Sequence, residues 1–141
     1  MIATSADSPR PTPPQRQLRV LICDDEKDFA LTTAELLRGE GHDTKTCYRG
    51  DEVIRHVEEY DPDVVILDIR LPGKSGWEAA SEIRRRFGPR RPLLIGVSGE
   101  YTKASDQMLS KINGFDYYLI KPADPSVLFL LLRDATASLA Q

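Results

Sequence analysis

From Leu18 onward, short apolar runs alternate with segments in which apolar side chains recur at helical spacing. The runs are LRVLIC, DTKTCY, DVVIL, PLLIGV and DYYLI. Three of them are almost continuously apolar, which is typical of parallel strands covered by helices on both faces. The second run is more polar, as in an edge strand. The pattern therefore predicts five strands.

The segments between and after the runs predict five helices, each with one apolar face. The predicted faces are Phe29, Thr33, Leu36 and Leu37; Val53, Ile54 and Val57; Ala79, Ala80, Ile83 and Phe87; Met108, Leu109 and Ile112; and Leu128, Leu131, Leu132 and Ala135. Strict alternation of strands and helices favours right-handed crossovers and a parallel sheet. We expect an α/β fold, a doubly wound five-stranded parallel sheet in strand order 2-1-3-4-5 within a three-layer (βα)5 sandwich.

The first segment, MIATSADSPRPTPPQRQ, has a different composition. It is rich in Pro, Ser and Thr and poor in large apolar residues, so it cannot bury enough surface to offset the entropy lost on ordering. We predict a flexible, Pro-rich tail over residues 1–17 and one domain over residues 18–139.

Charge and hydropathy exclude several classes of partner. Nineteen basic and twenty-two acidic residues give a formal charge of -3, which argues against a nucleic-acid or anionic-membrane surface. We interpret the basic run RRRFGPRRP as a solvated helix end. No apolar segment is long enough to span a bilayer, and the N-terminus lacks a secretory pattern. We expect a cytoplasmic protein with no direct nucleic-acid or membrane partner.

Cysteine and histidine provide no obvious site in the sequence. Cys23 and Cys47 lie in strand-like runs without metal-type spacing, which favours buried thiols over a disulfide or a ligand pair. His42 and His56 are far from the predicted strand ends, and we expect both at the surface.

Polar side chains instead follow four of the five predicted strands. Asp24 and Asp25 follow the first, Asp68 ends the third, Ser98 ends the fourth and Lys121 follows the fifth. In open α/β sheets, ligands bind beyond the carboxyl ends of the strands, where strand order reverses. We expect these side chains to converge, although each Asp alone would be read as a helix or turn cap.

The chemistry of this set favours phosphoryl transfer. Three adjacent carboxylates repel one another unless a cation lies among them, and oxygen ligands favour Mg²⁺. A lysine and a hydroxyl group opposite them suit the oxygens of a phosphoryl group. Aspartate can itself be the nucleophile. Asp68 is the best candidate because Asp24 and Asp25 are paired for the metal.

The chain resembles the CheY-like receiver domain of two-component response regulators from about Leu18 to Leu139. The motifs that carry the resemblance are VLICDDE, DVVILDIRLPGKSGWE, GVSGE and GFDYYLIKP. The resemblance implies that Asp68 accepts a phosphoryl group from a histidine kinase or a histidine phosphotransfer protein. It also implies a flavodoxin-like fold and a signalling phosphoacceptor, not an enzyme with an external substrate.

The same resemblance assigns individual roles. Mg²⁺ would be held by Asp24, Asp25, Asp68 and the backbone carbonyl of Arg70. Ser98 and Lys121 would bind phosphoryl oxygens, and the Lys121-Pro122 peptide would be cis.

The resemblance also implies a switch, in which Ser98 moves toward the phosphoryl group and Tyr118 turns inward. Tyr117 should then point to the opposite face of the sheet. Core packing remains an alternative role for both tyrosines. For Trp77, a partner contact and a packing role are both open.

We expect output through protein contacts, with no attached output domain. Excess apolar residues on the last helix predict a face for a downstream partner or a homodimer, made by helix four, strand five and helix five with Tyr118, Phe129 and Leu130. Two alternatives remain: a phosphorylation-independent binding module, or a receiver fragment of a larger hybrid histidine kinase or response regulator. A haloacid-dehalogenase-type phosphatase is disfavoured because Arg70 occupies the position of its second Asp.

Overall fold

A computed structural model of the chain describes residues 17–99 and 113–139, with side chains as far as residue 136. The described residues contain one five-stranded parallel sheet in the order β2-β1-β3-β4-β5. Its strands are β1 (Arg19–Cys23), β2 (Asp43–Cys47), β3 (Val64–Asp68), β4 (Leu93–Ser98) and β5 (Tyr117–Ile120). The predicted fold class and strand order are confirmed.

Four helices are described beside the sheet. They are α1 (Lys27–Gly39), α2 (Val53–Tyr60), α3 (Gly76–Phe87) and α4 (Pro125–Leu139). The C-terminal helix α4 corresponds to the fifth predicted helix. A 3-10 turn, Gly50–Glu52, precedes α2. The helix predicted around residues 108–112 lies outside the described residues, as do residues 1–16 of the predicted tail. Among the described helices, none is both long and apolar enough to cross a membrane.

Strand alternation divides the core into two layers. On β1, Leu21 faces the side of α2 and α3, whereas Val20 and Ile22 face the side of α1 and α4. All three side chains are fully buried, and burying each contributes about 1.5–3 kcal/mol. Both faces of β3 are covered in the same way, which explains its continuous apolar run. The two layers hold the carboxyl ends of the strands at one edge.

The structure corrects three predictions about burial. His42 was expected at the surface, but it is buried and its Nδ1 accepts the N–H of Leu18 at 3.2 Å. Leu36 and Phe87 were assigned to apolar helix faces, yet they are 41% and 40% exposed. The predicted buried, unpaired thiols of Cys23 and Cys47 are confirmed.

Candidate functional site

Three carboxylates meet where the strand order reverses between β1 and β3. Asp24 follows β1 directly and Asp68 is the last residue of β3. Carboxylate oxygens of Asp24, Asp25 and Asp68 lie within 4.8 Å of one another. Asp24 and Asp68 are buried, at 1% and 7% exposed, whereas Asp25 is exposed. Two carboxylates of the group are therefore buried, and the third is accessible to solvent.

Each buried carboxylate is oriented by the backbone that follows it. Asp24 Oδ1 accepts the N–H of Glu26 at 2.9 Å, and Asp68 Oδ1 accepts the N–H of Arg70 at 3.1 Å. Such local bonds fix an aspartate against its own turn. The two Oδ2 atoms are left directed toward the same lysine.

Lys121 provides the positive charge of the site. Its Nζ lies 2.8 Å from Asp24 Oδ2, 3.4 Å from Asp68 Oδ2 and 3.7 Å from Glu26 Oε1. It also lies over the ring of Phe29, 4.7 Å from the centroid. The Lys121-Pro122 peptide is cis, as predicted. Glu26 had no predicted role, although it is the third acidic residue of the DDE motif.

Burial and crowding perturb the acidity of this cluster. Burial raises the pKa of Asp68 from 3.8 to about 7, and the negative charge of Asp24 adds to the effect. The Arg70 N–H and the Lys121 charge oppose that rise without cancelling it. Burial lowers the pKa of Lys121, but contacts with Asp24 and Asp68 raise it more, so the net shift is upward. The carboxylates thus carry more negative charge than one ammonium group neutralises.

The donor set fits a hard divalent cation. Asp24 Oδ2 is buried and, among the described residues, has no hydrogen-bond partner of good geometry, although Lys121 Nζ lies 2.8 Å away as an ion pair. All three candidate ligand side chains offer oxygen, which is the ligand type that Mg²⁺ prefers. The cation would relieve the repulsion that raises the pKa of Asp68.

Ser98 and Arg70 complete the walls of a cleft of about 430 Å³. The cleft is lined by Asp25, Glu26, Asp68, Arg70, Ser98, Gly99 and Lys121. Ser98 ends β4 at 1% exposure, and its carbonyl accepts the Lys121 N–H at 2.9 Å. The predicted site residues that line this cleft are Asp25, Asp68, Arg70, Ser98 and Lys121. Asp24 and Tyr118 do not line it, and neither do the partner-face residues Phe129 and Leu130. The chemical roles predicted for all of these residues, including the Ser98 hydroxyl and the Arg70 carbonyl, remain predictions.

The loop after β3 depends on a glycine that the sequence reasoning missed. A Cβ on Gly76 would lie 2.3 Å from the carbonyl oxygen of Asp68. The Gly76 N–H donates to the Ile69 carbonyl at 2.8 Å, so α3 begins directly against the end of β3. Ser75 and Glu78 form a capping box there. The Pro-Gly-x-x-Gly spacing was the available signal.

Tyr118 lies against an aromatic cluster, not in the cleft. Its ring stacks on Trp77, with centroids 6.2 Å apart, and Trp77 meets Phe115 edge-on at 6.0 Å. Gly96 makes room, because a Cβ there would lie 3.2 Å from Tyr118. Trp77 therefore has a packing role. Tyr117 faces the opposite layer, where its hydroxyl donates to Asp134 at 3.3 Å.

The predicted partner face is divided. Phe129 is half-buried and lines a groove of about 640 Å³ between α1 and α4. Leu130 is 61% exposed and does not line that groove. Neighbouring helical positions point about 100° apart, so the two residues do not share one face.

Comparison with known proteins agrees with this geometry. The sequence profile described as "Response regulator receiver domain" matches residues 20–133. The fold is similar to a two-component response regulator from Clostridium difficile, with a TM-score of 0.82 and 22% identity over 89% of this chain and 100% of that one. A CheY-like receiver domain protein from Methanospirillum hungatei JF-1 gives a TM-score of 0.79 and 24% identity over 87% of this chain and 96% of that one.

A third similar structure is the BeF3-activated N-terminal receiver domain of Klebsiella pneumoniae RstA. It gives a TM-score of 0.77 and 24% identity over 84% of this chain and 97% of that one. These likenesses concern the fold, whereas the profile match spans most of the chain and includes both acidic strand ends. The chain therefore belongs to the response regulator receiver domain family of two-component signalling.

Proposed function

We propose that this protein is a phosphorylation-activated signalling switch that accepts a phosphoryl group on Asp68. The donor would be a histidine kinase or a histidine phosphotransfer protein in the cytoplasm. The observation that carries the proposal is the buried Asp24–Asp68 pair with Lys121 Nζ in contact with both carboxylates. A structural salt bridge would need only one carboxylate for one lysine.

In the proposed reaction, a carboxylate oxygen of Asp68 attacks the phosphorus atom and the bond from phosphorus to the donor histidine nitrogen breaks. The histidine keeps that electron pair and takes a proton. Asp68 must be ionised to attack, and its raised pKa of about 7 makes that costly without a cation. Lys121 neutralises charge on the transferred group, and the Ser98 hydroxyl would donate to it.

Mg²⁺ would be held by Asp24, Asp25, Asp68 and the backbone carbonyl of Arg70. When bound, it would neutralise charge on the phosphoryl oxygens and keep Asp68 ionised. Asp25 is suited to the outer side of this site because it is the exposed member of the acidic set.

The signal would pass from Ser98 to Tyr118. These residues lie on adjacent strands, and Gly96, two residues before Ser98, is paired with Tyr118 in the sheet register. A shift at the end of β4 would therefore change the space beside Tyr118 and its stacking on Trp77. The output is binding of a downstream protein or a second copy of the chain at the β5 and α4 surface.

The test is intact mass after incubation with acetyl phosphate and Mg²⁺. We expect one phosphoryl adduct in the wild type and in Asp28→Asn, a charge-matched control on an exposed position of α1. We expect none in Asp68→Asn or with EDTA. A folded wild type without an adduct would instead favour a phosphorylation-independent binding module.

Output is tested separately on the two neighbouring α4 positions. We expect Leu130→Ser to weaken binding of a partner or a second copy, with little change in stability, because Leu130 is exposed. Phe129→Ser should mainly lower stability, since its ring packs beside α1. Size-exclusion chromatography of the phosphorylated or BeF3-treated chain distinguishes self-association from a monomer. Undiminished association in Leu130→Ser would remove this residue from the face.

A further inference from the structure

A second group of ligand-type side chains lies at the end of β2. Cys47 is the last residue of that strand, Glu52 ends the 3-10 turn, and His56 follows one turn later on α2. Cys47 Sγ, a Glu52 carboxylate oxygen and a His56 ring nitrogen lie within 4.8 Å of one another. Glu52 is the N-cap of α2 and His56 lies in its first turn, and both place a ligand atom near the thiol.

His56 carries an unsatisfied atom. Its Nδ1 is buried and has no hydrogen-bond partner among the described residues. A buried polar atom left unpaired is unfavourable, so a ligand at this nitrogen would be stabilising. Burial, together with the charges of Lys45 and Arg55, lowers the pKa of His56 and favours the neutral ring. Neutral imidazole is the form that binds metals.

We propose that Cys47, Glu52 and His56 bind a thiophilic divalent cation, with Zn²⁺ as the best fit. Sulfur, nitrogen and one carboxylate oxygen form a ligand set typical of zinc and unlike that of Mg²⁺. One thiolate and one carboxylate together balance the two positive charges of the cation. The thiol proton leaves to solvent when the metal binds, and water fills the fourth position.

Two of the three candidate ligands are partly exposed to solvent. Cys47 is 2% exposed, whereas Glu52 and His56 are only partly buried, so an ion can enter between them. Cys23 lies beside Cys47 in the sheet register and is 1% exposed. Its thiol interacts with the Cys47 thiol, but Cys23 is not part of the three-residue group, so Cys23→Ser is a control for the neighbouring thiol.

Co²⁺ titration of the full chain under a phosphine reductant tests the proposal, because cobalt bound to a thiolate shows a charge-transfer band. We expect one equivalent to develop this band and Zn²⁺ to displace it. Cys47→Ser should abolish the band, and His56→Gln should lower cobalt affinity at least about tenfold. Glu52→Gln should weaken binding similarly.

Three controls keep the outcome clear. Cys23→Ser should retain the band, and circular dichroism shows whether each variant is folded. Asp25→Asn separates this site from the acidic cleft, which offers oxygen ligands only and should give no thiolate band. Absence of a band in folded wild type, or a band that survives both Cys47→Ser and His56→Gln, would overturn the proposal. Phosphorylation of Asp68 is a separate measurement.

Discussion

Without metal, the burial of Asp68 favours its protonated form, whereas the proposed phosphoryl transfer requires the ionised form. Asp68 is 7% exposed beside buried Asp24, and its pKa is raised to about 7. Between about pH 4 and pH 7 the folded chain therefore holds a proton that the unfolded chain releases. The contribution of Asp68 to stability is greatest below that window and falls as pH rises through it. Asp68, the proposed nucleophile, is thus buried at a cost to the free energy of folding.

The first prediction follows from this fall in stability as pH rises. Without metal at pH 8, Asp68→Asn should raise the free energy of unfolding by about 2 kcal/mol, because the amide carries no charge to desolvate. The variant should also lose the decline in stability between about pH 4 and pH 7. Urea unfolding in EDTA across this range measures both effects. Asp28→Asn is the control, and equal pH slopes in wild type and Asp68→Asn would contradict the prediction.

Lys121 is the counter-charge for two buried acids. The substitution Lys121→Met removes this positive charge and should lower the free energy of unfolding by about 2 kcal/mol at pH 8. The loss should be smaller at pH 5, where Asp68 with its raised pKa is protonated. The same variant should slow formation of the phosphoryl adduct.

A double-mutant cycle checks the cause of the Lys121 effect. In an Asp68→Asn background, Lys121→Met should cost less than in the wild type, because only Asp24 still needs the ammonium group. Identical costs in both backgrounds would show that the Lys121 effect does not depend on Asp68 and comes instead from contacts such as those with Asp24 and Phe29.

At the scale of elements, the junction between β3 and α3 places Asp68. A Cβ on Gly76 would lie 2.3 Å from the Asp68 carbonyl, too close for a real contact. We expect Gly76→Ala to destabilise the chain by at least about 2 kcal/mol and to reduce phosphorylation. Gly39→Ala is the matched control, since a Cβ there meets nothing within 4 Å. Its effect should stay within about 1 kcal/mol, and a similar loss in both variants would contradict the argument.

The sequence predicts the elements better than it predicts their details. Alternating apolar runs are sufficient for the sheet, because strands covered on both faces leave a continuous apolar signature. Periodicity could not show that His42 accepts the buried backbone N–H of Leu18 or that Leu36 lies at the edge of its helix face. The Leu36 outcome depends on the rotation of α1, and the His42 outcome depends on the turn between α1 and β2. Both are fixed only when the layers pack.

The same limit applies to the site. Carboxylates at strand ends are readable from sequence, since strand order brings those ends together. The His56 and Cys47 contact is not readable, because it joins a strand to the face of a helix that begins after an intervening turn. Spacing along the chain gave the cysteines no metal pattern, whereas three-dimensional packing gives one of them two further ligand-type neighbours.

At the scale of the whole molecule, binding of the proposed Mg²⁺ in the cleft would be linked to folding. A ligand that binds only the folded chain raises its free energy of unfolding, by about 1.4 kcal/mol for each tenfold excess over Kd. We expect Mg²⁺ to raise the thermal unfolding midpoint of the wild type and EDTA to reverse it. The gain should be larger at pH 8 than at pH 5.5, because protons compete with the metal at Asp68.

Asp25→Asn isolates this linkage from the core. Asp25 is exposed at the mouth of the cleft, so the variant should fold with nearly wild-type stability in EDTA while losing most of the Mg²⁺ gain. Scanning calorimetry with and without Mg²⁺ at both pH values measures the difference. A Mg²⁺ gain that is independent of pH, or unchanged in Asp25→Asn, would place the metal elsewhere and leave the repulsion between Asp24 and Asp68 without its proposed counter-ion.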